Sequence, residues 1–141
     1  MAAFVDTNIL LYALCSVNEE QFDKVAIAKD LVQNLARRNR LVLSAQVLSE
    51  FISVAGRKGK RPLTTAETAD IVARLSKQIV IPIEVSLVRL ALERKEKSGI
   101  SYWGALIVEP AIRSGATTLY TEDMHHGTRY GVLQLVNPFV S

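Results

Sequence analysis

At 141 residues the chain fits one domain, 1–141, since two ordinary domains need roughly 200 residues or more. Hydrophobic residues make up 49% and charged residues 22%, and the single cysteine excludes both an internal disulfide framework and a multi-cysteine zinc site. Lys and Arg number 17 against 14 Asp and Glu, a formal charge of +3 with a sequence pI of about 9.2, so the protein is mildly basic without being a polybasic arm.

In chain order, Ala3-Phe4-Val5 is a short apolar strand ending at Asp6, and Ile9 to Leu14 reads as a short helix or turn. Glu20 to Arg38 is a long amphipathic helix, with Phe22, Val25, Ala28, Leu31, Val32 and Leu35 at helical spacing. A second strand, Leu41-Val42-Leu43, leads through Ser44, an expected N-cap, into a helix from Ala45 to about Ala55 with Val47, Phe51 and Val54 on its stripe. A basic loop, Arg57 to Pro62, precedes a helix capped by Thr64 or Thr65 and running to about Lys77. Ile79-Val80-Ile81 is the third strand, ended by Pro82. Val85 to about Lys97 is helical and stops near Gly99; Ser101 caps the next helix, which runs to about Ser114 and closes at Gly115. Thr117 to Tyr120 and Leu133 to Val136 are the last strands. Strands alternating with helices predict an α/β fold whose mainly parallel sheet is covered on both faces. Sites in such sheets gather at the carboxyl ends of the strands.

Three acidic residues fall where they can meet there. Asp6 follows the first strand, backed by Thr7 and Asn8; its plain role would be to cap the next helix. Glu50 lies about 60° round its helix from Val47, bordering the apolar stripe, where a half-buried carboxylate needs compensation. A salt bridge to Arg or Lys is the favoured explanation for this Glu taken alone. Asp123 follows the fourth strand in Thr121-Glu122-Asp123, a position that ordinary turn chemistry also favours. Taken together, converging carboxylates repel one another unless a cation joins them. Oxygen ligands suit hard ions, so Mg2+ or Mn2+ is expected. A metal on acidic residues in a basic protein suits phosphodiester hydrolysis.

Phe4-Val5-Asp6-Thr7-Asn8-Ile9-Leu10, Val47-Leu48-Ser49-Glu50-Phe51, Ser101-Tyr102-Trp103 and Leu119-Tyr120-Thr121-Glu122-Asp123 together resemble PIN-domain ribonucleases. The similarity is to the VapC-type toxins of bacterial type II toxin–antitoxin pairs, and it covers essentially the whole chain. The resemblance implies an α/β/α sandwich that cuts RNA with Mg2+ or Mn2+. It also implies a homodimer neutralised by an antitoxin. By position it makes Asp6, Glu50 and Asp123 the acidic residues, with Thr7, Asn8 and Thr121 supporting them.

One position departs from that pattern. Similar proteins carry an acid, usually aspartate, directly after the Ser-Tyr-Trp segment; here the residue is Gly104. With Ser101 as N-cap, position 104 is N3, where an acid would also favour the helix. Glycine there costs about 0.5–1 kcal/mol relative to alanine. Glu109 does not replace the missing acid, being about 140° away round the helix. The expectation is therefore an endoribonuclease weakened or inactivated at Gly104, the alternative being a non-catalytic module that binds an antitoxin or RNA. A phospho-receiver domain is set aside, because no strand end supplies its aspartate and lysine pattern.

Other residues are expected to be ordinary. His125 and His126 read as a solvated loop beside the site, Glu122 as solvent-facing, and Trp103 as core alongside Leu106, Ile107 and Pro110. Pro110 within a helix has no functional reading. The Arg57-Lys58-Gly59-Lys60-Arg61 run serves either phosphates or solvent; Arg37, Arg38 and Arg40 complement a helix end. No apolar run approaches the ~20 residues of a membrane span. The first residues lack a basic leader, so a cytoplasmic location is expected.

Overall fold

The computed structural model describes residues 1–15, 21–57 and 63–140. Six strands form one sheet: β1 (Ala3–Val5), β2 (Leu41–Ser44), β3 (Ile79–Ile81), β4 (Thr118–Tyr120), β5 (Arg129–Tyr130) and β6 (Leu133–Val136). Six helices connect or follow them: α1 (Thr7–Leu14), α2 (Phe22–Arg37), α3 (Ala45–Ala55), α4 (Thr65–Leu75), α5 (Val85–Ser98) and α6 (Tyr102–Arg113). The strand order is β3-β2-β1-β4-β6-β5, parallel throughout except for β5, which runs antiparallel to β6. Helices α1 to α4 pack as one group and α5 with α6 as another, both touching β2. The expected sandwich with a mainly parallel sheet is the fold found.

Local chemistry sets the helix boundaries. The Ser44 hydroxyl accepts from Val47 N, and Thr64 with Glu67 forms a reciprocal capping box. Gly99 ends α5 in the left-handed conformation, φ 71°, which costs glycine no Cβ clash. Central strands β1 and β2 are buried at every residue, as expected for strands covered on both faces. Phe4, Leu41, Leu43, Phe51 and Leu119 are fully buried in the main core.

The long helix departs from its predicted stripe. Phe22 is exposed at its first position, while Ala28 and Val32 carry its burial. Its predicted start, Glu20, lies outside the described residues, as do Lys58 to Pro62 of the basic loop. Among the described residues no helix is long and apolar enough to cross a membrane.

The strand order positions the site. From β1 the chain moves outward through β2 to β3, then returns to add β4 on the other side of β1. The direction of winding therefore switches between β1 and β4, where adjacent loops diverge and open a crevice. Register aligns Val5 with Tyr120, so both strands end level at that crevice.

Candidate active site

Asp6 and Thr121 are the residues that follow those two aligned strand ends. Asp6 N donates to Tyr120 O at 3.0 Å, which extends the strand pairing by one bond. Asp6 caps α1, as its plain reading predicted: Oδ1 accepts from Thr7 N at 2.7 Å. Its Oδ2 accepts from Thr121 Oγ1 at 2.9 Å, and Thr121 Oγ1 in turn accepts from Asp123 N at 3.2 Å. One hydroxyl thus ties Asp6 to the backbone carrying Asp123. Asn8 Nδ2 donates to Asp123 Oδ2 at 2.8 Å, and Thr7 Oγ1 to Glu50 Oε2 at 3.4 Å. The side chains of Thr121, Thr7 and Asn8 thus donate to the carboxylates of Asp6, Glu50 and Asp123 respectively.

Burial pushes the Asp6 carboxyl up to about 6 from 3.8, and the negative charges of Asp123 and Glu50 push the same way, while the Thr7 and Thr121 hydrogen bonds oppose them. Asp6 is 8% exposed. An apolar setting with two further carboxylates near it is a place that favours either a proton or a cation.

Glu50 corrects its sequence reading. It is exposed, because the buried positions of α3 are Val47, Phe51 and Ala55, which draws the stripe away from Glu50. No cation pairs with it among the described residues. Instead Gln46 Nε2, one turn earlier, donates to its Oε1 at 2.7 Å, and Gln46 Oε1 is left buried with no partner.

Gly104 sits in the first turn of α6, its N–H donating to Ser101 Oγ at 3.0 Å. It lines a cavity of about 680 Å3 with Ser101, Asp123, Met124, His125 and His126. A Cβ added there would lie 3.1 Å from Ser101 Oγ and 3.7 Å from Met124 Sδ, so a side chain fits if the Ser101 hydroxyl yields slightly. Position 104 and Asp123 thus line the same cavity. His125 and His126 are exposed in this loop as expected, with His126 Nδ1 accepting from Asn137 N at 2.9 Å.

Two other expectations are overturned. Trp103 is 66% exposed and meets Tyr102 edge to face. It precedes the buried run Ala105 to Ala111, so the stripe it shares does not reach cover at its end. Glu122 is not solvent-facing: its side chain is 16% exposed, and it accepts from Tyr12 OH at 2.8 Å and Lys24 Nζ at 2.9 Å. Those partners and Gln46 were missed. The available signals were helical spacing, Tyr12 one turn after Asn8 and Gln46 one turn before Glu50. Glu109 points away from the cavity to Arg94 Nε at 2.8 Å. Arg57 folds back onto its own helix, donating to Ser53 O at 2.8 Å.

The donor chemistry of Asp6, Glu50 and Asp123 fits a hard divalent cation. Among the described residues, however, no three His, Cys, Asp or Glu side chains are grouped closely enough to hold one. The set is right in type but is not gathered closely enough to hold an ion by itself.

A mainly parallel sheet with Asp6 hydrogen-bonded to Thr121 at its switch point defines an α/β protein with a polar crevice between β1 and β4. The PIN domain family model matches residues 3–127, and the chain belongs to that family. Among solved structures, a toxin–antitoxin complex from Klebsiella pneumoniae is similar with TM-score 0.68 and 17% identity over 98% of each chain. VapC20 of Mycobacterium tuberculosis, described as a Sarcin-Ricin loop cleaving toxin, is similar with TM-score 0.63 and 21% identity over 86% of this chain and 90% of that one. VapBC2 of Rickettsia felis, bound to a DNA fragment from its promoter, gives TM-score 0.63 and 24% identity over 96% and 97%. At these identities the likeness concerns the fold. No curated protein sequence matches the chain.

Proposed function

We propose that this PIN-domain protein is a VapC-type toxin, a metal-dependent endoribonuclease acting in the cytoplasm and held in check by an antitoxin, whose cleavage is weakened at Gly104. The observation that carries this reading is the pairing of Asp6, Glu50 and Asp123 with Thr121, Thr7 and Asn8 at the switch point of a PIN fold. Asp6 and Asp123, with Glu50, are the residues that would hold Mg2+ or Mn2+; such an ion supplies charge stabilisation for the phosphate and polarises a water. Thr121 orients the Asp6 carboxyl and fixes the Asp123 backbone, while Asn8 leaves one Asp123 oxygen directed by a hydrogen bond. RNA is the substrate class, and a homodimer is the expected assembly, as in the resemblance drawn from the sequence.

A second reading, a non-catalytic module binding antitoxin or RNA, is favoured by Gly104 and by the absence of a three-ligand group among the described residues. Growth of bacteria expressing the protein separates the two. Gly104→Asp is expected to arrest growth, and adding Asp123→Asn to it should abolish the arrest. Unimpaired growth with a soluble, folded Gly104→Asp variant would favour the module.

A further inference from the structure

Glu122 stands at the centre of a contact set that the three carboxylates do not use. Tyr12 OH and Lys24 Nζ hold its two oxygens at 2.8 and 2.9 Å. The Lys24 ammonium lies 5.4 Å from the Tyr12 ring centroid and 5.3 Å from that of Phe139, and the two rings meet edge to face at 5.3 Å. Side chains from α1 and α2 thus close on one carboxylate, with Phe139 of the segment after β6 packed against both, and that carboxylate belongs to the residue preceding Asp123. Tyr12 lies one turn after Asn8, which holds Asp123 itself. A single face of α1 therefore grips two successive residues of the β4–β5 connection.

We infer that Tyr12, Lys24 and Glu122 form a positioning clamp that fixes Asp123 for the nuclease site, acting through the loop backbone and not by touching RNA. The inference rests on the reading of Asp123 as a nuclease carboxylate. Asp123 is exposed and its loop has only short stretches of strand around it, so its placement depends on its anchors. Sites need geometry held to within about 0.5 Å. Hydrogen bonds to an ionised acceptor are the short, strong kind that can do this. With Lys24 39% exposed at one end of the pair, solvent screening keeps its share of global stability small, so the clamp's loss should be read locally.

Tyr12→Phe keeps the ring contacts and removes only the hydroxyl; Glu122→Gln removes the charge. In the metal-free protein, amide exchange of Asp123, whose N–H donates to Thr121 Oγ1, is expected to quicken about tenfold in both variants while core amides such as those of Leu43 and Val108 keep their rates. Placed in the Gly104→Asp protein, both should weaken Mn2+ binding by calorimetry about tenfold with the metal-free thermal midpoint held, and Lys24→Arg should preserve it. Unchanged Asp123 exchange, or faster exchange throughout the core, overturns the clamp. A Gly104→Asp parent that neither binds Mn2+ nor cuts RNA instead sinks the nuclease reading, with the exchange data still deciding the clamp.

Discussion

Asp6 concentrates the tension of the site in one side chain. Its folded pKa, about 6, exceeds the unfolded value of 3.8, so the native state holds this proton more tightly than the unfolded chain does. The stability contribution is therefore complete below about pH 4 and lost as pH rises through about 6, a loss of about 3 kcal/mol for a shift of this size. In chelated buffer, urea midpoints of the protein should fall between pH 4 and 6.5. Asp6→Asn should flatten that fall and be the more stable chain at pH 7; parallel profiles for the two would refute the account. At position 104 the local terms favour an acid. Replacing glycine gains about 0.5–1 kcal/mol and a charge near the helix start about 0.3–1, offset by the 3.1 Å approach to Ser101 Oγ. Gly104→Asp should raise the thermal midpoint by up to ~4 °C, whereas a drop of several degrees would show that the slot rejects a side chain. The positions of these acids were readable because Asp6 lies one residue and Asp123 three residues beyond a strand, and Glu50 on a marked helix. Glu122 was not, since Tyr12 and Lys24 are 110 and 98 residues away in sequence.

Among the elements, α6 carries the main burden of burial: every residue from Ala105 to Ala111 is buried, Glu109 and Pro110 included. A carboxylate in that run is tolerated because α5 supplies Arg94 at 2.8 Å, whose guanidinium also lies 5.1 Å from the Tyr130 ring centroid of β5. Arg94→Ala should cost about 2–4 kcal/mol by chemical denaturation, because Glu109 is left without a counter-charge. Arg94→Met with Glu109→Leu should recover most of that loss; a double variant no better than the single would show that packing, not charge, is at stake. Helix ends were readable to within a few residues because caps are local, as at Ser44, Thr64, Gly99 and Ser101. Strand β5 was not read at all. Two residues carry no periodicity, and Arg129–Tyr130 exists as a strand only by pairing with β6 across Gly131, φ 63°. Trp103 failed for a related reason: a helical stripe states direction but not how far the neighbouring cover extends.

At the scale of the whole molecule, alternating strands and helices announced a parallel sheet but left its strand order open. The switch between β1 and β4 sets Asp6 and Thr121 side by side although 115 residues separate them. The near-neutral charge total conceals an uneven layout: the Asp6 carboxyl at the end of β1 feels the negative charges of Asp123 and Glu50, while Arg38 and Arg40 are exposed beside the start of β2. On the proposed reading the molecule is a PIN framework short of one oxygen donor at position 104, where a side chain fits if the Ser101 hydroxyl yields slightly. The decisive measurement is Mn2+-dependent cleavage of RNA by the purified protein beside Gly104→Asp, with Gly104→Asp/Asp123→Asn as the dead control. The acid-restored chain is expected to cut at least about a hundredfold faster than the parent, on the scale of losing a transition-state stabilising group. Equal rates in parent and Gly104→Asp, or no cleavage by a folded Gly104→Asp that binds Mn2+, would contradict the account.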